Sequence, residues 1–159
     1  MIEQKIHIKS IEHNKIEQAE RINLLCLPEN YSRMFYLDLH HRFPKTFLVA
    51  LINNTIVGYI MCRIETGFSK LKRLSLSKRG HIVSIAVLEQ YQNKGIGKDL
   101  LLKALKGIMD YGASESFLEV RASNKSAIKL YQNQGFKIKK KIIGYYRNGE
   151  DALLMASKL

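Results

Sequence analysis

Apolar and polar positions alternate at once: Ile6 and Ile8 interleave with His7 and Lys9, so Lys5 to Ser10 predicts a short strand. The spacing then lengthens. Ile16, Ala19, Ile22 and Leu25 recur at helical intervals until Pro28 forbids continuation, which predicts a helix followed by the loop Leu27-Pro28-Glu29-Asn30. Phe35, Leu39 and Phe43, four apart, predict a second short helix closed by Pro44. Two apolar runs come next, Thr46 to Ile52 and Thr55 to Ile64. Asn53-Asn54 between them tolerates positive φ, so they predict a β-hairpin. Residues 65–80 carry Lys70, Lys72, Arg73, Lys78 and Arg79 with no acid after Glu65, and predict an exposed loop.

The run His81 to Leu88 is β-branched and mostly apolar, as a strand covered on both faces must be, and is expected at the centre of a sheet. Gln92 to Gly97 is a polar, glycine-bearing turn. Leu101, Leu105, Ile108 and Met109 then form an apolar helical stripe ending near Gly112. Phe117 to Arg121 predicts a strand, Asn124 to Gln134 a helix stopped by Gly135, and Phe136 to Ile143 and Ala152 to Ala156 the last two strands. Strands mixed with interspersed helices imply an α/β (α+β) fold, a mixed sheet flanked by helices. No repeat, linker or low-complexity stretch interrupts it.

Composition narrows the partners. The 159 residues, 46% hydrophobic, suit one compact domain spanning 1–159 with a single sizeable core. Twenty-six basic against fourteen acidic side chains give a net charge of +12, so an anionic partner or substrate is expected. Cys26 and Cys62 lie in no CxxC and near no spaced histidine pair, so neither a disulfide framework nor a metal site is predicted. No apolar run reaches membrane-spanning length, and the opening MIEQKIHIKS lacks a signal peptide's apolar stretch. The expected compartment is the cytoplasm, with no membrane contact.

The strongest local chemistry is Gln92-Asn93-Lys94-Gly95-Ile96-Gly97, between a buried strand and an amphipathic helix. Free backbone N–H groups and the positive end of a helix dipole converge there, glycines allow close approach, and Lys94 adds charge. This is an anion-capturing turn, although it is neither a P-loop nor a GxGxxG fingerprint. A second motif lies about thirty residues on, Asn124-xx-Ala127-xxx-Tyr131-xxx-Gly135-Phe136. Together the two resemble the GNAT superfamily of acetyl-CoA-dependent N-acetyltransferases, whose pattern is [QR]xxGx[GA] followed by NxxAxxxYxxxGF. LPENY at 27–31, GHIVSIAV at 80–87, LEVRASN at 118–124 and GYYRNGEDALLM at 144–155 are similar to the N-terminal (N-alpha) acetyltransferases. The likeness is greatest to the archaeal form related to the catalytic subunit of the eukaryotic A-type complex.

That resemblance implies a twisted mixed sheet of about seven strands with about four helices, whose fourth and fifth strands splay apart around the pantetheine arm. It implies that the main chain of Ile85, Ala86 and Val87 pairs with the arm. Gln92, Asn93, Lys94, Gly95, Ile96, Gly97 and Lys98 would hold the pyrophosphate of acetyl-CoA, while Asn124 and Tyr131 face the arm and its sulfur. It offers His81 and Glu119 as the base, with Glu29 assisting or shaping the site. Tyr131 would be the acid for the leaving thiolate, a main-chain N–H near Val87 would meet the oxyanion, and Glu29, Tyr31, Tyr145 and Tyr146 would bind the peptide. From the residues alone Asn124 also reads as a helix N-cap, Tyr131 as core packing, and Arg121 as a partner for a buried Glu119.

Direct attack by a neutral amine, with no covalent enzyme intermediate, suits an N-terminal acceptor. An α-amine of pKa about 7.7–8.0 is roughly one-tenth free near neutrality, at a deprotonation cost of about 1.2 kcal/mol, whereas lysine costs about 4.6 kcal/mol. A histidine, ordinarily near 6.5, is a sufficient base. Two other readings stay open: a family member acting on lysine or a small-molecule amine, and a basic RNA- or ribosome-binding module using 70–79 and Lys137, Lys139, Lys140 and Lys141. Specific DNA recognition is not expected.

Overall fold

A computed structural model describes residues 4–159; residues 1–3, where the domain expected over 1–159 and the opening stretch begin, lie outside the described residues. The chain runs β1 (Ile6–Ser10), α1 (Ile16–Cys26), α2 (Arg33–Arg42), β2 (Phe47–Ile52), β3 (Thr55–Phe68), β4 (Leu76–Val87), α3 (Ile96–Asp110), β5 (Glu115–Arg121), α4 (Lys125–Asn133), β6 (Lys137–Ile142) and β7 (Ala152–Lys158). The strands form a seven-stranded sheet in the order β1-β2-β3-β4-β5-β7-β6. It is mixed, with β4 parallel to β5 and β5 antiparallel to β7. By its internal contacts the chain falls into two compact units: the chain through Arg63 with Ile82–Ile108, and Ile64–His81 with Met109–Leu159.

In the first unit β1, β2 and β3 pair antiparallel, and Asn53 and Asn54 adopt φ of 50° and 63° in the predicted turn. Ile16, Ala19 and Ile22 of α1 and Tyr36 and Leu39 of α2 pack against Phe47, Val49, Tyr59 and Met61 of the strands. Ser32 caps α2 by accepting from the Phe35 N–H at 3.3 Å. The α1 stripe is shorter than predicted. Leu25 is 72% exposed, and the buried position beyond Ile22 is Asn23, whose amide donates to the Tyr59 hydroxyl at 2.9 Å. In α3 the buried face is Leu100, Leu101, Ala104 and Ile108, while Met109, expected inside, is half exposed. Gly107 lets this helix approach the Pro44–Thr46 turn: a Cβ there would meet the Lys45 carbonyl oxygen at 2.6 Å.

In the second unit β7 lies between β5 and β6, with Phe117, Leu154 and Ala156 clustered. The parallel ladder of β4 with β5 runs from Arg79–Glu115 to His81–Phe117, after which β4 continues to Val87. The predicted loop over 65–80 is largely strand, because β3 extends to Phe68 and β4 begins at Leu76. Ladder bonds and the ion pair of Arg79 with Glu65 at 2.8 Å hold these polar strand ends, so apolar periodicity is not needed there. The remaining connection is anchored by Glu115, which accepts from Ser69 Oγ at 2.6 Å and from the Lys70 N–H at 2.7 Å.

Candidate active site

In the first unit the turn after β4 ends on the helix that the glycine pattern announced. Asn93 and Gly95 take φ of 60° and 83°, the left-handed conformation that lets the chain reverse into α3 at Ile96. A Cβ on Gly95 would meet nothing within 4 Å, so the space beside its main chain is open. The first helical N–H groups, those of Ile96, Gly97 and Lys98, have no acceptor within the helix. Gln92 folds back and donates to the Val87 carbonyl at 2.9 Å, and the Lys94 ammonium sits 5.5 Å from the Tyr91 ring centroid. The result is an exposed, cationic helix start.

The same unit holds the LPENY segment and the end of β4. Tyr31 donates to the Val83 carbonyl at 3.2 Å and stacks on Phe35 at 5.1 Å, which fixes it beside the strand. Glu29 is half-buried. On β4 the side chains of Ile82, Ser84 and Ala86 are buried and those of Ile85 and Val87 half-buried. Behind them Tyr59 bonds Ser84 at 2.7 Å, completing an Asn23–Tyr59–Ser84 chain of buried polar groups.

In the second unit His81 and Glu119 come together. The His81 Nε2 lies 2.7 Å from Glu119 Oε2, with side chains only 12% and 18% exposed. Adjacent parallel strands cause the meeting: His81 registers with Phe117, and Glu119 stands two residues further along the same face of β5. Burial on its own pushes the Glu119 carboxyl up. The His81 hydrogen bond and charge, with Lys70, more than offset it and hold the carboxyl below the usual carboxylate range. An ionised Glu119 makes Nε2 the donor and leaves the lone pair on Nδ1, which is buried and has no partner among the described residues.

The other predicted residues of this unit are also placed. Asn124 is the α4 N-cap, accepting from the Ala127 N–H at 3.2 Å, as the helix reading required. Tyr131 is buried in that helix with its ring 5.9 Å from Phe136. Tyr145 and Tyr146 pack edge to face at 5.0 Å, and the Arg121 guanidinium lies 4.0 Å over the Tyr146 ring. Arg121, expected beside Glu119, donates to Glu150 at 2.8 Å, and the partner found for Glu119 is His81. Both cysteines are free. Cys62 is fully buried, and burial raises both thiols, so neither offers a ready thiolate.

Sequence reasoning missed Phe117, whose ring lies face to face with His81 at 4.5 Å and an interplanar angle of 2°. In the sequence it reads only as one aromatic in a strand; the β4–β5 register sets it beside His81. Glu115 was missed for the same reason.

The model of the Acetyltransferase (GNAT) family matches residues 16–136. An N-alpha-acetyltransferase of Saccharolobus solfataricus is 48% identical over 154 residues, covering 96% of this chain and 92% of that protein. The crystal structure of Ard1 from Thermoplasma volcanium superposes with a TM-score of 0.83 at 27% identity, over 97% of both chains. Arabidopsis thaliana Naa50, in complex with the bisubstrate analogue CoA-Ac-MVNAL, superposes with a TM-score of 0.81 at 27% identity, over 97% of this chain and 99% of that one.

Proposed function

The chain belongs to the acetyltransferase (GNAT) family, and from that membership we propose that it transfers acetyl from acetyl-CoA to the free α-amine of protein N-termini. Likeness to N-alpha-acetyltransferases along nearly the whole chain supports the acceptor class. The observation that carries the chemistry is the His81–Glu119 pair, 2.7 Å apart and largely buried.

Acetyl-CoA brings the activated thioester, and the protein orients it and manages protons. Main-chain donors from Gln92 to Lys98, with the charges of Lys94 and Lys98, take the pyrophosphate at the α3 start. The main chain of Ile85, Ala86 and Val87 pairs with the pantetheine arm, Asn124 flanks the arm, and an N–H near Val87 meets the oxyanion. The amine nitrogen attacks the thioester carbonyl and forms the C–N bond. Its proton passes through a bridging water to His81, where Glu119 fixes the tautomer and stabilises the imidazolium that forms. The C–S bond then breaks, and the leaving thiolate takes a proton from the Tyr131 hydroxyl. The products are an N-acetyl peptide and coenzyme A, with no acyl-enzyme. Glu29, Tyr31, Tyr145 and Tyr146 line the path of the first peptide residues, their rings offering contact area with few rotamers to freeze.

All of 1–159 works as one catalytic domain in the cytoplasm, and the exposed lysines of β6 with the basic 70–79 segment favour a position near ribosomal RNA. No helix among the described residues is long and apolar enough to cross a membrane. The pair is tested by pH–rate profiles. His81→Ala and Glu119→Ala each lower kcat by about 10²-fold or more and distort the acid limb, and the double variant is no worse than the poorer single. Additive losses would contradict a shared proton path.

A further inference from the structure

The aromatic face under His81 joins two cations to the proposed base. Phe117 lies parallel to the imidazole, with 4.5 Å between centroids and 2° between planes. The Arg79 guanidinium and the Lys70 ammonium each stand 5.1 Å from the centroid of that same ring. Neither cation is placed by chance. Arg79 is held by Glu65 through Nε at 3.0 Å and Nη2 at 2.8 Å and by the Phe68 carbonyl; the Lys70 main chain is held by Glu115 at 2.7 Å.

We propose that Phe117 is a positioning residue for the transfer reaction, and that the face it turns to the imidazole fixes which nitrogen of His81 receives the proton. An imidazole on a flat aromatic face cannot rotate about χ2 without losing that contact, so the stack holds Nε2 toward Glu119 and Nδ1 free for a proton. The Arg79 guanidinium and the Lys70 ammonium, each 5.1 Å from the centroid of the same ring, hold that face in place under the imidazole.

This inference rests on His81 acting as base, and its test separates the two. Phe117→Leu keeps an apolar side chain but removes the face, and is expected to lower kcat about tenfold or more with KM for acetyl-CoA unchanged; Phe117→Tyr, which keeps the face, restores it. Independently of turnover, nitrogen chemical shifts of the imidazole report its tautomer: one fixed tautomer in wild type and Phe117→Tyr, a mixture in Phe117→Leu. A fixed tautomer in Phe117→Leu, or an undiminished kcat in that variant, would overturn the inference. A wild-type pH–rate profile in His81→Ala would instead overturn the base assignment beneath it.

Discussion

Two carboxylates in one unit, Glu115 buried and Glu119 partly so, are charged for different reasons, and that difference sets what each residue does. Glu119 is kept ionised by an imidazole that can carry a proton, which suits chemistry. Glu115 is kept ionised by fixed donors, Ser69 Oγ and the Lys70 N–H, and by the Arg79 charge, against a burial that alone would raise it. Glu115 is therefore structural. A carboxyl held below its unfolded value contributes stability that is complete above the unfolded pKa, near 4.3, and is lost as pH falls through the lower folded value. Glu115→Gln should cost about 1–3 kcal/mol near pH 6, where a charged acceptor is lost. It should also show a shallower decline in the urea midpoint on acidification than wild type. An unchanged acid slope would assign the loss to other groups. Residue identities alone did not separate these roles: LEVR suggested Glu119 through its resemblance, and the Arg121 beside it in sequence engages Glu150.

Glycines mark where an element must begin or where two must touch, and those marks could be read in advance. The reversal into α3 depends on Gly95 at φ 83° with open space beside it. A side chain there is strained, and it would stand at the proposed anion site. Gly95→Asp is expected to weaken acetyl-CoA binding at least tenfold in calorimetry, with a smaller loss for Gly95→Ala, which brings strain without charge. Equal affinity in Gly95→Asp would contradict the anion turn. Elements whose stability comes from apolar burial were predicted closely: the β2–β3 hairpin, α3 and the β7 strand. The far ends of β3 and β4 were not, since Lys78 and Arg79 sit where ladder bonds and an ion pair replace burial. Asn23 is buried near the end of α1 where Leu25 was expected to be, for a comparable reason. Tyr59 offers the hydroxyl partner that makes a buried asparagine tolerable, and a strand 36 residues away is invisible to local spacing.

For the molecule as a whole, net charge and core fulfil separate demands. The core belongs to the acetyltransferase fold. The excess of +12 is spread over helices, strands and loops, and it is densest on the edge strand β6, whose exposed Lys137, Lys139, Lys140 and Lys141 also discourage edge-to-edge pairing with another sheet. If that charge holds the enzyme near ribosomal RNA, co-sedimentation with ribosomes should fall steeply between about 50 and 200 mM salt. Salt-independent co-sedimentation would rule that contact out. The central claim concerns the acceptor and has a direct test: incubate the protein with acetyl-CoA and two peptides of one sequence containing an internal lysine, one with a free N-terminus and one N-formylated, and locate the acetyl group by fragment-ion mass spectrometry. The account predicts a single acetyl on the α-nitrogen of the free peptide and none on the blocked one. Acetylation of the lysine at comparable rates in both peptides would contradict it.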